Sequence, residues 1–600
     1  MSSRLEKTFR LGAYRRVRII FWLASFFWLA LIGRLAQIQI LQTERFQAHA
    51  QAQNFRQANQ KAWRGTIYDR NGLKLAGDIT AQSFFAVPDS IANPGEVALR
   101  FSRLFGKEFQ PLLENLKSDR KFVWMERQTE LPQAEQVTNW KLRGVYAREE
   151  FKREHPLGEL GEDLIGLTDI DGRGISGLEL YYDSILSGQD GSEVLQKDAL
   201  GQVYQMQEQT WKEAKNGCDL ALTLDAKLQW VLENRLKQGI IQTKSASGFG
   251  LLMDPQTGEI LALTSLSRPG FPEGENQGRL RPLTDQFEPG STMKAFTAAA
   301  AIEEKIKSPE DLIYAEKGKW VTGIGKRVLH DIHEYEMLTF EEAIAYSSNI
   351  ALAKTGLAVG SEILYRYFRD FGFGFKTGIE LPGEASGTLQ PFGDWSKITL
   401  ISNSIGYGIS TTALQLTSAY AAIANGGWLM KPYLVKAFLD PQGNLLREYK
   451  PTPIRQVISS QTAQIIRGFL KQVVEMGTGI TAKLEGVEIG GKTGTARKVK
   501  AGSKGYLDQY ISSFVGFFPV EQPRYLGLIA LDSPKGMVYG GQTAAPVFRE
   551  IVKDILSLPS TPTYELIKKR VPDENGEGTV TTIAAQNAKT QQNSKKGPTL

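Results

Sequence analysis

The sequence predicts a multidomain α+β protein. It should comprise a single N-terminal transmembrane helix, an extended α/β pedestal module, and a C-terminal domain with an antiparallel sheet flanked by helices and an all-helical subdomain. Three observations carry this reading. Basic residues precede one long apolar run near the N-terminus, a turn-rich stretch of short strand-like runs follows, and beyond residue 215 strand pairs alternate with amphipathic helices. At 600 residues the chain is too long for one ordinary core. A composition of 42% hydrophobic and 23% charged residues is that of a globular protein.

The elements follow in order. Arg4, Lys7, Arg10, Arg15, Arg16 and Arg18 precede "IIFWLASFFWLALIG", Ile19 to Gly33. That run is short of the roughly 20 residues a span needs. Arg18 and Arg34 can snorkel, however, and Leu35, Ile38 and Ile40 lengthen it. Residues 1–18 are therefore read as a cytoplasmic tail and 19–40 as a retained anchor, with the chain beyond it outside the cytoplasm. Cleavage at Ala48-His49-Ala50 is the alternative, but that site lies far beyond the apolar core. Residues 41–215 form the pedestal module, punctuated by the turns "DRNG" (Asp69 to Gly72) and "DIDGRG" (Asp169 to Gly174). Residues 216–558 form the second large domain. "LALTLDAKLQWVLENRL" reads as a strand entering a helix, and "GFGLLMDPQTGEILALTS" as a hairpin around Pro-Gln-Thr-Gly. Residues 292 to about 430 read as mainly helical, and "YISSFVGFFPV" and "YLGLIALD" as strands. "APVFREIVKDILS" places Val547, Phe548, Ile551, Val552, Ile555 and Leu556 on one helical face. The polar segment 559–600 is expected to be disordered.

Several function classes drop out. A net charge of +6 without a basic-aromatic stripe makes nucleic acid an unexpected partner. The single cysteine, Cys218, precludes an intrachain disulfide and is read as a buried small hydrophobe. His330 and His333 lie close together without a matching ligand set, so no metal is expected. "EGVEIGGKTGTARK" (Glu485 to Lys498) matches the phosphate-binding pattern Gly-x-x-x-x-Gly-Lys-Thr, and "LIALD" supplies the strand and Asp that often accompany it. A phosphate cradle must follow a buried strand and open a helix. Here "TGITAKLE" precedes it and "GTARKVKAGSKG" follows, so no nucleotide is expected.

A serine acyl-transfer site fits better. In "FEPGSTMKAFTAAAAIEEKI", Ser291 and Lys294 sit at the mouth of an Ala-rich helix. Three residues on a helix rise about 4.5 Å and share a face, so hydroxyl and amine can meet. The serine needs such a base, and burial would lower the lysine's pKa enough to serve. Ser118 and Lys121 show the same spacing in a charged stretch. A second element is Ser347-Ser348-Asn349, where Ser347 could relay a proton and Asn349 hold a substrate amide. Alone, those letters also suit a helix end with a capping Asn. Lys-Thr-Gly occurs at Lys354, Lys376 and Lys492. Only Lys492 follows Gly-Gly and leads into two strong strands, the context of a sheet edge open to a substrate backbone. Lys492 and Thr493 would offer a cation and a hydroxyl to a carboxylate.

With these residues assembled, the chain resembles the class B penicillin-binding proteins, the membrane-anchored peptidoglycan D,D-transpeptidases, from the anchor to about residue 557. "RGTIYDRNG" (Arg64 to Gly72), "REHP" (Arg153 to Pro156, with His155 where Tyr is usual) and "GISGLELYYDSILSG" (Gly174 to Gly188) look like that family's pedestal signatures. "GYGIS" (Gly406 to Ser410) and "GGQTAAPVF" (Gly540 to Phe548) fit its catalytic half, and "TTALQL" departs from a common Thr-Pro-Leu-Gln. Ser-x-Asn with Lys-Thr-Gly-Thr-Ala is closer to the division-specific FtsI-like branch than to elongation-type relatives. The resemblance implies that Ser291 attacks a D-Ala-D-Ala carbonyl and Lys294 takes its proton. Ser347, Asn349 and Lys492 would complete the catalytic set, with Thr493, Gly494 and Thr495 on the substrate. Amides of Ser291 and Thr495 would form the oxyanion hole, and no cofactor or metal is implied. Implied partners are peptidoglycan stem peptides, β-lactams as covalent inhibitors, the membrane, a glycan polymerase and the division complex. A class A β-lactamase would need a Glu-x-x-Leu-Asn element, which is missing, whereas a non-turnover β-lactam sensor stays open.

Overall fold

The computed structural model describes residues 2–43, 45, 55–197, 203–205, 212–270, 279–324, 328–500 and 505–559. The expected tail from 560 onward and Ala48-His49-Ala50 lie outside the described residues. Helix α1 (Ser2–Ala36) runs into a π-helical turn at Gln37–Leu41. Within this stretch Arg16–Leu41, with a mean hydropathy of 1.9, is long and apolar enough to cross a bilayer.

The chain divides into two compact units: Met1–Ala62 with Gln189–Asn216, and Trp63–Gly188 with Gly217–Leu600. The first holds α1 and a three-stranded antiparallel sheet of Phe55–Gln60, Gly191–Lys197 and Val203–Gln205. In the second, a seven-stranded sheet joins distant segments of the chain in the order Leu445–Glu448, Val435–Leu439, Asp219–Leu222, Ile67–Tyr68, Lys74–Ala86, Val123–Thr129, with Val145–Glu154 also paired to Lys74–Ala86. One face of the long strand carries Phe84 and Ala86 onto Val97, Phe101, Leu112, Leu116 and Val137 of three covering helices. The first of these, Pro94–Phe105, starts where the Asn93 side chain accepts from Glu96 N–H and Pro94 fills the first turn. It stops at Gly106, which turns left-handed at φ 65°.

The three pedestal signatures meet in one buried ion cluster. Arg64 Nε donates to Glu179 Oε2 at 2.6 Å and Arg153 Nε to Glu179 Oε1 at 2.7 Å. Arg64 Nη1 reaches Asp183 at 2.6 Å, and Arg153 Nη1 reaches Asp78 at 3.1 Å. Asp69, also buried, accepts from Asn71 N and Leu73 N at 2.8 Å and shapes the "DRNG" turn. Removing charges from water is costly, so each is held only because its lone pairs and protons are taken. The ion pairs tie segments of the chain more than 100 residues apart to one another.

The other large sheet is antiparallel throughout. Its strands are β1 (Ser247–Met253), β2 (Ile260–Ser267), β3 (Gly490–Val499), β4 (Tyr506–Phe518) and β5 (Tyr525–Asp532), in the order β2-β1-β5-β4-β3. β1 and β2 are the expected hairpin, and β3 is an edge. Both faces are covered, so alternate residues enter different cores. Leu251, Val515 and Leu528 join the core of the helical part, while Leu252, Phe514 and Ile529 pack against α2 (Ala226–Gln242) and the C-terminal helix Ala544–Ser557. Continuous apolar runs in the sequence follow from this two-sided burial.

Two expectations need correction here. Leu556 is 53% exposed, whereas Val547, Phe548, Ile551, Val552 and Ile555 are buried; one residue past Ile555 is about 100° around the helix, beyond the sheet's reach. The mainly helical segment also contains two small two-stranded sheets, Leu312–Tyr314 with Met337–Thr339 and Lys319–Val321 with Val328–His330. Strands of three residues are too short to show a period. Its helices are α3 (Lys294–Glu303), α4 (Phe340–Ala345), α5 (Asn349–Val359), α6 (Ser361–Asp370), Lys397–Ser404 and α7 (Ala413–Ala424).

Glu179→Ala would take a buried carboxylate from two arginines, leaving Arg64 with Asp183 and Arg153 with Asp78, and should cost about 3–5 kcal/mol of unfolding free energy in urea denaturation. Lys121→Ala, which breaks an exposed pair with Asp89, should change it by less than about 1 kcal/mol.

Candidate active site

Ser291 lies in a 3-10 turn, Gly290–Met293, that runs directly into α3. Ser291 and Lys294 therefore share one turn, with Ser291 half-buried and Lys294 fully buried. Close backbone packing aims this turn. Gly290 N–H donates to Gly406 O at 3.0 Å, and a Cβ on Gly406 would stand 1.9 Å from Gly290 O. A Cβ on Gly494 would stand 2.4 Å from Ser513 Oγ and 3.1 Å from Pro289 O. Glycine at both positions lets the sheet edge and the "GYGIS" loop pass against the Ser291 turn. From α7, the Tyr420 hydroxyl donates to Thr292 O at 2.7 Å.

Two lysines and one serine make the centre. Lys294 Nζ donates to Ser347 O at 2.6 Å, Asn349 Oδ1 at 2.8 Å and Ser347 Oγ at 3.1 Å. Lys492 Nζ donates to the same Ser347 Oγ at 3.0 Å. Burial lowers the Lys294 pKa to about 7, partly offset by the Asp331 carboxylate. Burial, and then the charge on Lys294, hold Lys492 well below the ordinary lysine value. Ser347 sits in the turn between α4 and α5 at φ 59°, in the left-handed region. A serine held there stores strain of about 1–3 kcal/mol, sustained by its surroundings.

The helix cap differs from the sequence expectation. Ser348, not Asn349, caps α5: its Oγ accepts from Ala351 N–H at 3.0 Å and donates to Asp331 Oδ2 at 2.5 Å. Asp331 Oδ1 accepts from the backbone N–H groups of Asn349 and Ile350. The Asn349 side chain is thereby freed to accept from Lys294 and to donate to His330 O at 2.8 Å. Asp331 is the residue that sequence reasoning missed. It lies in an irregular loop with no spacing relation to Ser347, and "HDIHEYE" carries only a diffuse acidic signal.

The repeated motifs separate by location. Lys354 on α5 donates to Tyr314 O at 2.8 Å and Glu316 Oε1 at 2.7 Å. Lys376 lies in the loop after α6. Ser118 donates to its own chain at Asn115 O, 2.7 Å away, and Lys121 pairs with Asp89. Only Lys492 joins Ser347. It sits inside β3, so the Gly-Lys-Thr letters form a strand and not a phosphate-binding loop. Asp532 of "LIALD" accepts from Arg281 at 2.7 Å and Lys498 at 2.9 Å. Further along the edge, Thr493 Oγ1 lies 2.9 Å from Thr478 Oγ1, and Thr495 Oγ1 accepts from Gly540 N–H at 3.0 Å. Cys218 is half-buried, less enclosed than expected, because it stands just before the strand Asp219–Leu222. Burial raises its thiol pKa, which disfavours thiolate chemistry.

Comparison with known proteins gives the family. The penicillin binding protein transpeptidase domain matches residues 248–553, and the penicillin-binding protein dimerisation domain matches 59–222. The chain belongs to the class B penicillin-binding proteins. It is a serine D,D-transpeptidase. This class B penicillin-binding protein is 34% identical to stage V sporulation protein D of Bacillus subtilis over 87% of this chain and 82% of that one. It is 30% identical to peptidoglycan D,D-transpeptidase FtsI of Escherichia coli over 88% and 89% respectively. Among solved structures, penicillin-binding protein 3 of Mycobacterium tuberculosis in complex with aztreonam superposes with a TM-score of 0.64 at 29% identity, covering 85% of this chain and 99% of that one.

Asp331→Ala should remove the one acceptor of two N–H groups and the Ser348 contact at the head of α5. Thermal unfolding should report a loss of about 1–3 kcal/mol, against no measurable loss for the exposed Asp508→Ala.

Proposed function

We propose that this enzyme cross-links peptidoglycan stem peptides through an acyl-enzyme on Ser291, in septal wall synthesis. The observation that carries the reading is the convergence on the Ser347 hydroxyl of Lys492 and of Lys294, which lies one turn along the chain from Ser291. In the neutral form Lys294 accepts the Ser291 proton as Oγ bonds to the carbonyl carbon of D-Ala-D-Ala. Collapse of the tetrahedral adduct breaks the C–N bond, and the departing D-Ala amine takes a proton delivered through Ser347 from the two lysines. An amine of a neighbouring stem peptide then attacks the ester, loses its proton to the same relay, and Ser291 regains its hydroxyl. Amides of Ser291 and Thr495 serve as the oxyanion hole, each such donor being worth roughly 100- to 1,000-fold in rate. Asn349 holds a substrate amide, while Lys492, Thr493 and Gly494 along the β3 edge receive the substrate carboxylate and backbone. β-Lactams acylate the same serine.

The division role rests on the Ser-x-Asn and Lys-Thr-Gly-Thr-Ala letters and on the likeness to FtsI. A second reading, spore-wall synthesis, is favoured by the 34% identity to the sporulation protein; the chemistry is the same. In either role Arg16–Leu41 anchors the enzyme in the cytoplasmic membrane with its basic end inside. Residues 41–215 serve as a non-catalytic pedestal that meets partners such as a glycan-polymerising membrane enzyme in the division complex, and 216–558 carry the transpeptidase.

Mass spectrometry after penicillin treatment should find one adduct, on Ser291, lost in Ser291→Ala; an adduct on Ser118, or none, overturns the assignment. Depletion in growing cells should give filaments. Normal division with defective spores selects the second reading.

The acylation rate should follow the neutral fraction of Lys294. Its pKa is lowered to about 7, so the neutral base dominates above that pH and is lost below it. The rate should be level above pH 7 and fall about tenfold per unit below it. A rate that is flat down to pH 5 removes Lys294 as the base.

A further inference from the structure

The second Lys-Thr-Gly, in "FGFGFKTGIELPGE", takes no part in the chemistry at Ser291. It lies in the loop after α6, where Gly372 and Gly374 adopt φ of 98° and 83°. This loop passes over α7, held by Gln415 Nε2 donating to Phe375 O and Ser386 O. Lys376 and Thr377 there line a cavity of about 210 Å³ with Ser418 of α7 and with Met430 and Arg455 of the strand pair Trp428–Met430 and Pro453–Gln456. On α7, Ser418 and Tyr420 are about 200° apart. Since Tyr420 bonds the nucleophile turn, the cavity lies on the opposite side of that helix.

Two independent features mark this cavity as built for a ligand. Ser418 is only 4% exposed, yet its Oγ has no hydrogen-bond partner among the described residues. The preceding Thr417 returns its hydroxyl to Ala413 O at 2.8 Å, a bond that Ser418 does not make to its own counterpart. A buried hydroxyl without a partner is costly and calls for an acceptor or donor from outside the chain. The second feature is charge. Arg369 and Arg455 share the single carboxylate of Asp370, at 2.8 and 3.2 Å, whereas Lys376 has no ion pair among the described residues. Three cations therefore stand around the cavity with Asp370, while the Glu384 carboxylate is taken up by Thr377 and Gly378 of the same loop. The surrounding surface is apolar: Leu429 and Met430 are buried beneath, and Phe375 (55% exposed) and Ile454 (45% exposed) stand at the rim.

We propose that this cavity is a second ligand site, which takes the carboxylate of an amino-acid-sized group carrying an apolar side chain. The Ser418 hydroxyl and the Lys376 ammonium bind the carboxylate, and Phe375, Met430 and Ile454 cover the apolar body. The size follows from the volume, below the roughly 300–1,000 Å³ of sites for drug-sized ligands. A single negative charge matches the one cation left unpaired. Either a free N-acylated amino acid or the last residue of a polypeptide has this chemistry.

The test uses the full-length protein, first acylated with penicillin so that the β3 edge is blocked, and isothermal titration with N-acetyl-L-leucine and N-acetyl-L-leucinamide. The acid should bind saturably and the amide at least about tenfold more weakly. Lys376→Ala and Ser418→Ala should each weaken the acid about tenfold while penicillin labelling of Ser291 stays unchanged. If Ser418→Ala fails to fold, the exposed Lys376→Glu carries the test. A leucine-ended peptide with a free C-terminus binding more tightly than the acid assigns the site to a polypeptide end; weaker binding assigns it to the free acid. Equal binding of acid and amide, no saturable binding of either, or an affinity indifferent to Lys376 overturns the proposal. Because acylation is read separately, its loss would count against the reading of Ser291 and not against this site.

Discussion

Two lysine side chains, both removed from water, donate to one serine hydroxyl. That constraint organises the catalytic domain. A desolvated ammonium is tolerable only with its protons accepted, and here Ser347 and Asn349 accept them. Burial holds both pKa values down, and the charge on Lys294 lowers that of Lys492 further. Lys294 must come from a helix inside the core, Lys492 from a strand at the sheet edge, and Ser347 from a strained turn between two helices. The fold exists in this region to keep three separate stretches of chain within about 3 Å of one another, the ordinary distance of a hydrogen bond.

The supporting features follow from that need. Asp331 and Ser348 cap α5 and so fix the turn that presents Ser347. Gly406 and Gly494 remove the side chains that would push the loop and the sheet edge off the Ser291 turn. The sheet is covered on both faces, so β3 is held by core packing while one side of it pairs with no other strand among the described residues. In the pedestal the same economy recurs with opposite ends: Glu179 accepts from two arginines, and three short signatures far apart in sequence are locked by their mutual charges.

The readable part of the fold was what a period or a turn encodes. The β1–β2 hairpin shows in two apolar runs about a turn, β4 and β5 in long apolar strands, and the buried stripe of Ala544–Ser557 in its helical spacing. Leu556 fell outside that stripe because spacing gives the face and not its width. The three-residue strands around Lys319 and Met337 left no periodic trace. At the site, Ser291 and Lys294 were legible because they share one turn, whereas Asp331 was not, since it reaches α5 across a loop.

By itself, the sequence determined the local pieces: the serine–lysine pair, the membrane-length apolar run, the strands and helices, and the residue types an acyl transfer needs. Local context already favoured one copy of each motif, and the tertiary structure decided between them. Lys354, Lys376 and Lys492 carry identical three-letter motifs, and only Lys492 is placed by its strand beside Ser347. Ser118 and Ser291 have the same spacing to a lysine, and only Ser291 heads a helix buried deeply enough to lower that lysine's pKa. Desolvation and proximity are properties of the packed chain, and no local pattern of letters contains them.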